Sequence, residues 1–93
     1  MIGGNPNDFL DRIYSCQDTI YRYKGIKYWF QGYMTDSNRV HMEIIQYFPA
    51  SDREVWSYDG KTIDECWQAF VHAPIFDGRS FWNVEKNIEW LDD

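Results

Sequence analysis

The sequence is short of several things, and each shortage excludes a class of protein. It has two cysteines, Cys16 and Cys66, fifty positions apart and without a Cys-x-x-Cys spacing. That excludes a zinc ribbon or a thioredoxin-like redox site and points to two free thiols. No apolar run approaches the ~20 residues of a membrane-spanning helix. The opening "MIGGNPNDF" has neither the basic segment nor the apolar stretch of a signal peptide. A cytoplasmic location, away from the membrane, is therefore the expectation. Histidine is scarce too: His41 and His72 share no metal-binding spacing, so no metal or other cofactor is expected.

Basic residues are the most telling shortage. Nine Lys and Arg face fifteen Asp and Glu, for a net charge of −6. Residues 1–51 are balanced, with five acids and five bases, so the whole excess lies in residues 52–93. Phosphate-backbone binding needs a basic surface, which argues against nucleic acid as a direct partner. An acidic surface fits a solvated protein, or one whose partner is basic.

What the sequence has is aromatic side chains, 19% of 93 residues. Each can bury roughly 150–250 Å², enough for one compact core. The length predicts a single domain over residues 1–93.

"NPNDFLDRIY" signals a helix over about residues 7–15. Asn5 or Asn7 can cap it, Pro6 suits its first position, and Phe9, Leu10, Ile13 and Tyr14 recur at helical spacing. "DTIYRYKGIKYWFQGYM" reads as a hairpin turning at Lys24-Gly25. That turn sets Tyr23 opposite Ile26, Tyr21 opposite Tyr28 and Thr19 opposite Phe30, on one side of the sheet. Ile20, Arg22, Lys27, Trp29, Gln31 and Tyr33 then fall on the other. In "VHMEIIQYF", Val40, Met42 and Ile44 should face the core, and His41, Glu43, Ile45 and Tyr47 should face outward. "EVWSY" reads as a short fourth strand at an edge.

Two stretches, "SYDGKTIDECW" and "IFDGRSFWNVE", share an aromatic, Asp-Gly, a base and Ser or Thr. The first resembles the tail of a phosphate-binding loop. Such a loop needs a glycine five residues before its Gly-Lys pair, and Val55 stands there. Both stretches read instead as turns followed by helix caps. Thr62 and Glu65 form a capping box for one helix, whose buried face is Ile63, Cys66, Trp67, Phe70 and Val71. Ser80 caps a last helix with Phe81, Val84, Ile88 and Leu91 on one face. The expected fold is α+β: an N-terminal helix, an antiparallel sheet of three to four strands, and two C-terminal helices on one face.

The outward sheet face carries the most unusual chemistry. Trp29, Tyr33, Ile45 and Tyr47, with Trp56 or Tyr58 from the edge strand, would form an aromatic patch. Trp and Tyr are common interface anchors. They are also good strand residues that cover a sheet locally. Glu85, Glu89, Asp92 and Asp93 would line the solvent side of the last helix and its end. Candidate partner-binding residues are thus Trp29, Tyr33, Tyr47, Glu85, Glu89, Asp92 and Asp93, with no catalytic residue assigned. The same patch would serve a two-fold homodimer. A different class of function, a small-ligand binder or small enzyme, would use His41 or His72 beside a carboxylate in an aromatic pocket.

The tail "APIFDGRSFWNVEKNIEWLDD" resembles the ends of small single-domain proteins of Gram-positive bacteria. The order of helix, sheet and two helices, at this size and acidity, is similar to a Cas9-inhibiting type of anti-CRISPR protein. That likeness is of architecture alone and carries no residue role. It implies a non-enzymatic inhibitor that occupies a basic protein surface.

Overall fold

A computed structural model describes residues 1–49 and 52–91. The fold is α+β, with an antiparallel five-stranded sheet and three helices.

Helix α1 spans Pro6–Tyr14. Asn5 caps it, its Oδ1 accepting from the Asn7 amide at 2.8 Å, and Pro6 opens its first turn. Strands β1 (Thr19–Tyr23) and β2 (Ile26–Met34) form the hairpin in the register read from Lys24-Gly25. Both turn residues have positive φ, 53° and 78°, which is what a two-residue hairpin turn demands. Strand β3 spans Val40–Phe48 and β4 Arg53–Gly60.

Helix α2 spans Ile63–His72. Thr62 Oγ1 accepts from the Glu65 amide at 3.1 Å, and Glu65 Oε1 accepts from the Lys61 amide at 3.0 Å. Gly-Lys-Thr is therefore the start of a helix, with the Glu65 side chain reaching one residue further back than in a simple capping box. Asp77 and Gly78 also have positive φ, 61° and 81°, and Phe76 and Arg79 exchange backbone hydrogen bonds across them. The tips of these two tight turns touch, with Lys24 Nζ 2.6 Å from Asp77 Oδ2.

The last element departs from expectation. Helix α3 covers only Phe81–Val84, a 3-10 turn follows over Glu85–Asn87, and Ile88–Trp90 is strand β5. β5 lies antiparallel to β1, pairing Tyr21 with Trp90, Arg22 with Glu89 and Tyr23 with Ile88. Ile88 is spaced to continue the apolar face of the helix, but it also alternates correctly with Glu89 and Trp90. Strand pairing wins because it buries Ile88 beside Tyr23 and sets Glu89 against Arg22. The sheet order is β4-β3-β2-β1-β5. Ile2 then runs along the outside of β5, donating to the Ile88 carbonyl at 2.9 Å and accepting from the Trp90 amide at 2.8 Å.

One face of the sheet holds the core. Tyr21, Phe30, Met42, Ile44 and Ile88 are fully buried there against Phe9, Ile13, Phe70 and Phe81. Phe9 stacks on Phe81 and meets the edges of Tyr21 and Trp90, so α1 ties α3 to the sheet. Cys66 is buried and its thiol donates to the Val40 carbonyl at 3.3 Å. Cys16 packs over Gly32, where an added Cβ would sit 3.0 Å from its Sγ. Both cysteines are free.

Candidate functional site

The opposite sheet face is built by alternation along the strands, interrupted by one bulge in β3 and one in β4. Cross-strand pairing sets Ile20, Trp29 and Ile45 in one row, Gln31 and Glu43 in the next, and Tyr33, His41 and Asp59 in the third. Ile20, Trp29 and Ile45 are half-buried by their neighbours, while Tyr33 is 49% exposed. The described helices pack on the other side, through the core above.

Charged side chains gather at two corners of this face. At one corner Arg22 Nη2 lies 2.6 Å from Glu89 Oε1, and Lys27 Nζ sits 5.4 Å over the Phe48 ring. At the other corner His41 lies between two carboxylates. Its Nδ1 is 2.5 Å from Asp59 Oδ1 and its Nε2 2.8 Å from Glu43 Oε1. The Gln31 amide donates to the second oxygen of Glu43. Tyr33 packs its ring 5.1 Å from the imidazole.

Two carboxylates within hydrogen-bond distance of one imidazole favour the form in which both ring nitrogens carry a proton and His41 is a cation. Burial, the largest single influence on the ring, disfavours that charge. Asp59 and Glu43 outweigh it by hydrogen bonding and charge, and the pKa is raised. In that form the ring has no free lone pair with which to take a proton from a substrate. His72 is exposed on the last turn of α2, its Nδ1 2.9 Å from the Gln68 carbonyl.

The expected binding residues are dispersed. Trp29 and Tyr33 are on the open face as read. Tyr47 is the extra residue of a bulge opposite Lys27 and Tyr28, and Phe48 takes the place beside Lys27 that alternation assigned to Tyr47. Trp56 and Tyr58 pair with the core residues Ile44 and Met42, so they lie on the helix side of the sheet, stacked at 6.4 Å with Trp56 against Phe70. Glu85 stands on the 3-10 turn and accepts from the Met1 amine at 2.8 Å. Glu89 is on β5, paired with Arg22. Neither lies on a helix face. Asp92 and Asp93 lie outside the described residues.

Sequence reasoning placed His41 and Glu43 side by side but missed Asp59. Asp59-Gly60 read as the turn out of the last strand, whereas β4 runs through Gly60 and pairs Asp59 with His41.

Comparison with protein families, with curated proteins and with solved structures found no match. The arrangement itself defines a two-layer α+β protein with one sheet face left open.

Proposed function

We propose that the chain is a small acidic, non-enzymatic protein-binding module that acts by occupying a partner's surface. The observation that carries this reading is the open sheet face, where Trp29, Ile45 and Tyr33 stand between two clusters of charged side chains. Such a face offers aromatic anchors surrounded by charge of both signs, which favours a protein surface over a nucleic-acid backbone. The acidic excess of residues 52–93 favours a partner rich in Lys and Arg at its contact. An inhibitor that covers a basic functional surface is the form of action this chemistry suits.

The reading is tested by capturing the partner on the immobilised chain and repeating the capture with Trp29→Ala and Tyr33→Ala. Binding should weaken in both variants and as salt rises, because screening shortens to about 8 Å at physiological ionic strength. A partner that is indifferent to both substitutions and to salt would overturn it. Self-association lost in the same variants would make a second copy of the chain the occupant of this face.

A further inference from the structure

The two Asp-Gly pairs have alike neighbours, Tyr58 and Lys61 for one and Phe76 and Arg79 for the other, yet the fold treats them differently. Asp59-Gly60 closes β4. Gly60 is buried and paired with Val40, and the Asp59 carboxylate is held by His41 at 2.5 Å. Asp77-Gly78 is the tip of an exposed turn. Phe76 and Arg79 exchange backbone hydrogen bonds across it, and the Gly78 N–H has no partner among the described residues. The Asp77 side chain is 66% exposed, and nothing stands within 4 Å of the place a Gly78 Cβ would take.

An aspartate followed by glycine places an electrophile beside a nucleophile. The Gly78 nitrogen can bond to Asp77 Cγ, and the carboxyl hydroxyl then leaves as water with the amide proton. The product is a cyclic succinimide. Water adds back at either carbonyl. Opening at Cγ restores aspartate, and opening at the main-chain carbonyl leaves isoaspartate, with the chain running through Cβ and Cγ. No oxidant or other co-reactant is needed. Glycine matters because a side chain there would crowd the attacking nitrogen. The reacting carboxyl is the neutral acid, which loses water where a carboxylate cannot. Lys24 opposes that form, with its Nζ 2.6 Å from Asp77 Oδ2. Its hydrogen bond and charge, with a smaller share from Arg79, hold the carboxyl below its ordinary pKa. Tyr28 on β2 is the other titratable group within electrostatic reach, and it is a neutral phenol.

We infer that Asp77-Gly78 is a site of spontaneous isoaspartate formation, restrained by the Lys24 ion pair, and that Asp59-Gly60 is its protected counterpart in the same chain. The change would not stay at the surface. Isoaspartate lengthens the backbone by one carbon inside a two-residue turn, which removes the geometry that lets Phe76 and Arg79 exchange their bonds. Phe76 is buried, with its ring against Tyr23 and Phe70. Modified chains should therefore lose stability, whatever the open sheet face binds.

The test incubates the full chain at mildly acidic pH and maps its peptides by chromatography and mass spectrometry, which separate aspartate, isoaspartate and succinimide. Isoaspartate should accumulate at Asp77 in the folded protein and stay at background at Asp59. In concentrated urea both sites should react at similar rates, because their neighbours are alike. Lys24→Gln keeps an exposed polar side chain and removes the charge. It should speed the reaction at Asp77 and leave Asp59 unchanged. Its rate should converge with that of wild type as pH falls below both carboxyl pKa values, where each protein holds the reactive acid. A folded chain that forms no isoaspartate at Asp77, while the unfolded chain does, would overturn the inference. Equal rates at the two sites in the folded chain would do the same. A Lys24→Gln rate equal to wild type, or faster by one factor at every pH, would overturn the restraint by the ion pair.

Discussion

The charged histidine makes stability depend on pH in a direction opposite to that of a buried neutral histidine. His41 has its pKa raised in the fold, so its contribution is whole below the unfolded value of about 6.5. It is lost as pH rises through the higher folded value. The magnitude follows from the two contacts. Asp59 is 61% exposed, so its half of the bridge is largely screened and contributes roughly 0.2–1 kcal/mol. Glu43 is 14% exposed, and a hydrogen bond to a charged group in that setting contributes roughly 1.5–3 kcal/mol. His41→Gln should therefore cost about 2 kcal/mol at mildly acidic pH. For a domain of this size that lowers Tm by about 10 °C. The gap between wild type and variant should narrow as the solution becomes alkaline. Urea denaturation of both proteins at a series of pH values reads that gap, and nitrogen-15 spectra of the imidazole read the ionisation directly. A gap that stays constant across neutral pH would refute the reasoning, as would a ring titrating at or below its ordinary value.

Other consequences can be checked singly. Thr62→Ala removes the hydroxyl that accepts from the Glu65 amide and should cost about 1 kcal/mol in chemical denaturation. Gly4→Ala would place its Cβ 2.4 Å from the rigid Trp90 ring, so a loss of roughly 1–3 kcal/mol is expected by the same assay. Arg22→Gln should change stability by less than about 1 kcal/mol, because the Arg22 side chain is 40% exposed in its pair with Glu89. Burial pushes the Cys66 thiol up and it is fully enclosed. A thiol reagent should modify it only at the rate at which the protein opens, which mass spectrometry can follow under rising urea.

Where local chemistry decided the structure, the sequence was legible. Lys24-Gly25 determined the hairpin turn, and alternation from that point put every β1 and β2 side chain on its observed face. Asn5 and Thr62 marked their helix starts because a capping side chain acts within three residues. What could not be read depended on partners distant in the chain. Ile88, Glu89 and Trp90 form too short a segment to display a period, and their strand identity comes from Tyr21, Arg22 and Tyr23. The two bulges in β3 and β4 shift side chains by one place, and nothing local in "IIQYF" or "EVWSY" announces them. The same holds for the site. Trp29 and Tyr33 followed from the hairpin, whereas the Asp59 partner of His41 depends on how β4 registers with β3.

The placement of β5 also has a consequence for how the chain is made. β1 is synthesised early, yet its second ladder needs residues 88–90, which follow it by more than sixty positions. On the ribosome, a nascent chain can close the β1–β4 meander with α1, but Tyr21 and Tyr23 still lack the neighbour that finishes their cover. Long-range closure of this kind is slow compared with forming a hairpin. Until translation reaches Trp90, the unfinished side of β1 is an unpaired edge beside exposed aromatic rings, the surface a chaperone would hold.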